Sequence, residues 1–129
     1  MVKGIEFVLL AIGAIAGAFL RYKIAVSSPI LLGALPVNIL IVNIIGSFVL
    51  GVFSIISILW SLDTRYSMLV AVGFCGSLTT MSSFALETSN LIDNKQFNYV
   101  VLNILANVGL SIGAVIGGRT LTVTLMRGG

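Results

Sequence analysis

Apolar residues run through this chain in four long stretches, at about 5–22, 36–60, 68–91 and 97–122, and short polar intervals separate them. Arg21 and Lys23 close the first, Asp63 and Arg65 follow the second, and Asp93, Asn94, Lys95 and Gln96 precede the fourth. Each stretch approaches the roughly 20 residues that a helix needs to cross the hydrocarbon core of a bilayer. The pattern therefore predicts an all-α membrane protein, a single transmembrane domain over 1–129 with four spanning helices. Pro36 is placed as the first residue of the second helix, where its missing N–H costs nothing. The interval 23–35, with Ser27, Ser28 and Pro29, reads as a connector on the membrane surface. Lys3 ahead of an apolar run resembles a leader, but the run leads on without a polar cleavage region, so it is expected to stay as a helix.

Composition removes most other classes. Of 129 residues, 58% are hydrophobic and 9% charged, against about 25% charged in soluble domains, so four helices use up the chain. There is no histidine, and Cys75 is the one cysteine. A disulfide framework or cysteine metal site within one chain is thereby excluded. No nucleophile has a base at hand, so an enzyme is not expected, nor is a nucleic-acid partner. With four spans, Lys3, Arg65, Arg119 and Arg127 share one side of the membrane, and Arg21, Lys23 and Lys95 the other. So even a balance gives almost no positive-inside bias. Two copies inserted in opposite directions, paired as an antiparallel dual-topology homodimer, are the expected consequence.

The third stretch breaks the apolar pattern. GFCGSLTTMSSFALE, residues 73–87, sets Gly73, Gly76, Ser77, Thr79, Thr80, Ser82, Ser83 and Glu87 into a segment that otherwise suits lipid. Glycine is a poor helix former and hydroxyls compete for backbone partners. Irregular backbone at membrane depth survives only where it is buried in protein or lines a cavity. A broken helix is predicted here, with a small-residue packing face as the alternative. Other stretches carry buried polar residues too. Asn38, near the start of the second, reads as a link between helices, and Asn43, deeper, as a functional candidate. Asn103, Asn107 and Ser111 recur every fourth residue, on one face of the fourth helix, as a polar track. Gly109, Gly113 and Gly117, with Gly13 and Gly17 of the first helix, are assigned to close helix packing. Glu87 is placed at the mouth of whatever the break lines, and Arg21 as an anchor at the vestibule. Uncharged donors with no acid at midplane suit an anion better than a cation or proton.

These residues fall into motifs. GAFLR at 17–21, VNIIGSFVLG at 42–51 and GFCGSLTTMSSFALET at 73–88, in this order on four spans, resemble the Fluc (CrcB-type) fluoride channel family over nearly the whole chain. The resemblance implies an antiparallel homodimer with two pores, passively exporting fluoride across the inner (plasma) membrane of a microbial cell. It implies that Asn43 donates to the ion, that two phenylalanine positions three apart turn ring edges to it, and that Ser82 and Ser83, with Thr80, supply hydroxyls beside them. Glu87 would be the vestibule acid, and Asn107 and Ser111 the track on the fourth helix. A structural sodium ion would sit at the dimer centre on backbone carbonyls of Gly76 and Thr79. The chain departs from the pattern at the first aromatic position, which is Met81; the second is kept as Phe84. A ring edge is electropositive, whereas a thioether is polarizable and apolar, so impaired conduction is expected at that position. Two other readings compete. A small four-helix multidrug exporter needs an acid inside its first span, and residues 7–20 have none. A non-conducting membrane assembly subunit would use its small and polar residues for packing alone.

Overall fold

The computed structural model describes residues 3–129 and contains four helical spans. Helix α1 runs Gly4–Val26 and α2 Asn38–Leu59. The third span, Thr64–Asp93, is composite: α3 (Thr64–Ser67), a π-helical stretch Met68–Cys75, a single turn α4 (Gly76–Leu78), and α5 (Met81–Asp93). Helix α6, Phe97–Arg127, has 31 residues. At 1.5 Å per residue it is about 46 Å long, longer than a hydrocarbon core of about 30 Å.

The connector between α1 and α2 holds an antiparallel hairpin, β1 (Leu31–Leu32) with β2 (Leu35–Pro36), that the apolar pattern does not reveal. Pro36 belongs to this hairpin and does not open α2, which begins two residues later at Asn38. Gly33 at the tip has φ +63°, a left-handed conformation suited to glycine, and a Cβ there would run into the Tyr99 hydroxyl. Leu35 is buried beside it. Asn38 holds this corner together. Its Nδ2 donates to the Ile24 carbonyl (2.8 Å) and to Ser27 Oγ (3.2 Å), and its Oδ1 accepts from the Ile30 N–H (2.9 Å). One buried amide thus satisfies the end of α1 and the connector leading into α2.

The helices pack in two close pairs, α2 on α6 and α1 on the π-helical stretch and α4. Backbone contact explains both. A Cβ on Gly51 would meet the Val115 carbonyl, and one on Gly118 would lie 2.5 Å from the Phe48 carbonyl, so α2 and α6 approach reciprocally through glycine. Gly13 and Gly17 of α1 abut the carbonyls of Leu69 and Phe74 in the same way, as expected of them. Gly109, Gly113 and Gly117 do not follow: among the described residues outside their own helical turns, nothing lies within 4 Å of a Cβ at any of them. With 100° per residue, they sit about 120° around α6 from the stripe of Asn103, Asn107 and Ser111, on a face that α2 and α5 leave bare.

Two interhelical turns end in Schellman motifs. The Leu62 N–H bonds the Ser57 carbonyl around Ser61 (φ +48°), and the Gln96 N–H bonds the Leu91 carbonyl around Lys95 (φ +57°). Neither left-handed residue is glycine. Asp63 caps α3, accepting from the Arg65 N–H at 2.9 Å and from its guanidinium at 3.1 Å.

Candidate functional site

The break in the third span lies at Thr79 and Thr80. Thr79 ends α4 in an extended conformation (φ −75°, ψ 152°), and Thr80 is extended too (φ −150°, ψ 119°) before α5 starts at Met81. The hydroxyls that weaken the helix also terminate it. Thr79 Oγ1 donates to the Cys75 carbonyl (2.9 Å), and Thr80 Oγ1 accepts from the Ser83 N–H (3.2 Å) as the N-cap of α5. Ser82 Oγ and Ser83 Oγ each lie 3.2 Å from Thr80 Oγ1. The Thr80 N–H, which would close an α-turn on the Gly76 carbonyl, is instead taken by Asn43 Oδ1 at 2.8 Å. A side chain of the second span thus replaces the missing turn of the third, as buried polar backbone at this depth requires.

Asn43 continues into the fourth helix. Its Nδ2 donates to Asn107 Oδ1 (3.0 Å) and, more loosely, to the Thr80 carbonyl (3.4 Å). Asn107 Nδ2 donates to the carbonyl (3.0 Å) and Oδ1 (2.9 Å) of Asn103. Asn103, with no exposed surface, donates to Thr88 Oγ1 at 3.0 Å, and Thr88 donates to the Phe84 carbonyl at 2.8 Å.

Beside this chain of amides is a cleft of about 440 Å³ between the second, third and fourth spans. Asn43, Gly46, Ser47 and Leu50 line it from α2; Gly76, Thr79, Thr80, Met81 and Phe84 from both sides of the break; Asn107, Val108, Ser111 and Ile112 from α6. Eight of the residues singled out in the sequence therefore meet here: Asn43, Gly76, Thr79, Thr80, Met81, Phe84, Asn107 and Ser111. Phe84 packs against the buried cluster of Ile39, Val42 and Leu78. Met81, by contrast, is 72% exposed in the single chain.

Four others are not brought to the cleft. Ser82 and Ser83 bond to Thr80, and Arg21 lies partly buried near the end of α1. Glu87 is half-buried, with Oε2 covered and unpaired among the described residues. Asn103, expected to line the track, stands behind it, and Thr88 was not singled out at all. Spacing held the signal for the missed positions: Gly46, Ser47 and Leu50 follow Asn43 at three, four and seven residues, and Thr88 follows Phe84 at four.

A family model described as CrcB-like protein, Camphor Resistance (CrcB), matches residues 8–119. Among curated proteins, the Fluoride-specific ion channel FluC of Nitrosopumilus maritimus is 59% identical over 124 residues, covering 96% of this chain and 98% of its own length. The protein of that name in Methanocaldococcus jannaschii is 39% identical over 122 residues (95% and 98%), and that of a Sulfurihydrogenibium species 41% over 118 (90% and 95%). With family model and relatives alike spanning nearly all of it, and its second and third motifs meeting at one cleft, the chain belongs to the CrcB-like (FluC) family.

Proposed function

We propose that the protein is a passive fluoride channel of the inner membrane, working as an antiparallel homodimer with a pore along each cleft. The observation that carries the ion assignment is the lining itself: amides, hydroxyls and an aromatic ring set among apolar side chains at a break in a spanning helix, with no charged side chain present. Fluoride is small and strongly hydrated, and a pore must replace its water with donors weak enough to release it. Asn43 and Ser111 supply such donors, and a ring edge at Phe84 supplies weakly positive C–H groups. The relatives bear fluoride-specific channel names, which accords with this chemistry.

The dimer accords with what one chain leaves open. Met81 is 72% exposed and the Gly109–Gly113–Gly117 face is uncovered among the described residues, and small residues four apart let a second backbone come close. The near-equal basic residues at the two membrane faces suit opposite insertion.

A structural sodium ion fits the break. The carbonyls of Gly76 and Thr79 are hard oxygen donors, and the N–H that would occupy the Gly76 carbonyl is diverted to Asn43. Those two carbonyls, from both copies, would hold it, and it would supply fixed positive charge at the subunit boundary.

Efflux from liposomes containing only the purified chain tests the channel. Fluoride release without chloride release is expected. Release of neither, from correctly inserted protein, would overturn the assignment.

A further inference from the structure

The cleft is bounded by Asn43 and Asn107, but neither Asn103 nor Thr88 touches it. Both are nevertheless bonded into the same chain, whose two ends are backbone groups with fixed roles. At one end the Thr80 N–H can only donate; at the other the Phe84 carbonyl can only accept. Between them lie three amides and a hydroxyl, each able to accept on one side and donate on the other. The oxygen and nitrogen of an amide are distinguished by their partners, and here only one arrangement satisfies every link: Thr80 N–H to Asn43, Asn43 to Asn107, Asn107 to Asn103, Asn103 to Thr88, and Thr88 to the Phe84 carbonyl. Reversing Asn43 or Asn107 would set nitrogen against N–H on one side and oxygen against oxygen on the other, and reversing Asn103 would set its nitrogen against that of Asn107 and draw the Thr88 hydroxyl off the Phe84 carbonyl.

We propose that Asn103 and Thr88 are positioning residues that set the polarity of this relay, so that Asn43 turns N–H rather than carbonyl toward an anion in the cleft. The proposal deepens the fluoride reading and rests on it. Of the Asn43 N–H bonds, the one to the Thr80 carbonyl is the longest at 3.4 Å, and is the one an anion displaces at least loss. The bond to Asn107, at 3.0 Å, keeps the amide in place meanwhile. Asn107 can accept there because its own nitrogen is committed to Asn103. Asn103 in turn is held by Thr88, two turns beyond the break on α5. The relay also ties α5 to its neighbours at its start and in its middle, which suits a half-helix with Leu91 as its one buried residue.

Thr88→Val keeps the shape of the side chain and removes the acceptor for Asn103; Thr88→Ser keeps the hydroxyl. In proteoliposomes, fluoride efflux through Thr88→Val is expected to fall at least about fivefold, the effect of leaving one buried donor unpaired, with Thr88→Ser near the parent. Side-chain amide resonances of Asn43 and Asn107, in nitrogen-15-labelled protein, should move in Thr88→Val and return in Thr88→Ser. Asn103→Leu reads the same relay at the next link, should Thr88→Val fail to fold, and should move the same resonances. Parent-like flux in folded Thr88→Val or Asn103→Leu would overturn the proposal, as would reduced flux with the Asn43 resonance unmoved, which marks a packing effect. A parent chain that passes no fluoride would instead remove the channel reading, and the amide resonances would still decide the relay.

Discussion

Asn43 and Thr80, 37 residues apart in the chain, exchange two hydrogen bonds: the Thr80 N–H donates to Asn43 Oδ1 at 2.8 Å, and Asn43 Nδ2 donates to the Thr80 carbonyl at 3.4 Å. The amide thereby imitates a neighbouring peptide group. A helix break that would otherwise expose bare backbone within the membrane is closed by the side chain that also borders the cleft, so the stability of the break and the chemistry of the site depend on one residue.

Asn43→Leu should therefore damage both. It leaves the Thr80 N–H without its partner, a loss of about 1–3 kcal/mol for a buried donor, and removes an N–H from the cleft. The expected result is a lower unfolding midpoint in detergent together with loss of fluoride efflux. Unchanged stability would mean that the break does not need Asn43.

Met81→Phe should raise fluoride efflux above that of the parent. Met81 borders the cleft but is 72% exposed in one chain, so a larger ring can be taken up without repacking a core, and its edge offers an anion more than a thioether does. Stopped-flow or electrode measurements on matched proteoliposomes decide it; equal rates would deny the ring any part.

The two sets of glycines on α6 should separate folding from assembly. Gly118→Val sets a side chain against the Phe48 carbonyl and the backbone of Val52, and overpacking of this kind costs about 1–3 kcal/mol or more; the chain should be destabilised or fail to accumulate. A Cβ at Gly113 meets nothing within 4 Å among the described residues of the other elements, so in Gly113→Val the fold should persist while dimerisation in lipid weakens. Single-molecule photobleaching counts subunits and would reveal a dimer indifferent to Gly113→Val.

Asp63 gives the fold a small acid-sensitive element at one membrane face. The Arg65 backbone N–H, and then its guanidinium, hold the carboxyl below the usual carboxylate range. A group whose folded pKa lies below its unfolded one stabilises fully above the unfolded value and loses that contribution as pH falls through the lowered one. Thermal midpoints should thus drop on acidification through and below the ordinary carboxylate range, and Asp63→Asn should flatten part of that slope. Solvent exposure and salt screening keep the effect small.

What could be read along the chain was whatever depends on local periodicity and on the cost of polarity in lipid. Four apolar stretches with charged ends announce four helices, because a helix alone satisfies its own backbone in hydrocarbon; helical spacing also put Asn107 and Ser111 on one face. The break was legible because glycines and hydroxyls crowd together at 73–83, whereas the more widely spaced ones of α6 leave that helix unbroken. Three-dimensional packing settled the rest. Pro36, whose place in the sequence suits a helix start, lies instead in a hairpin that Asn38 bonds at Ile30 and Tyr99 covers at Gly33. Which glycines pack depended on which face of α6 met α2, and Gly118 met it while Gly109, Gly113 and Gly117 did not. That Asn103 lies behind the cleft and Asn43 beside it follows from hydrogen bonds spanning up to 64 residues of sequence. An amide is equally content with many partners, and only the folded chain selects among them.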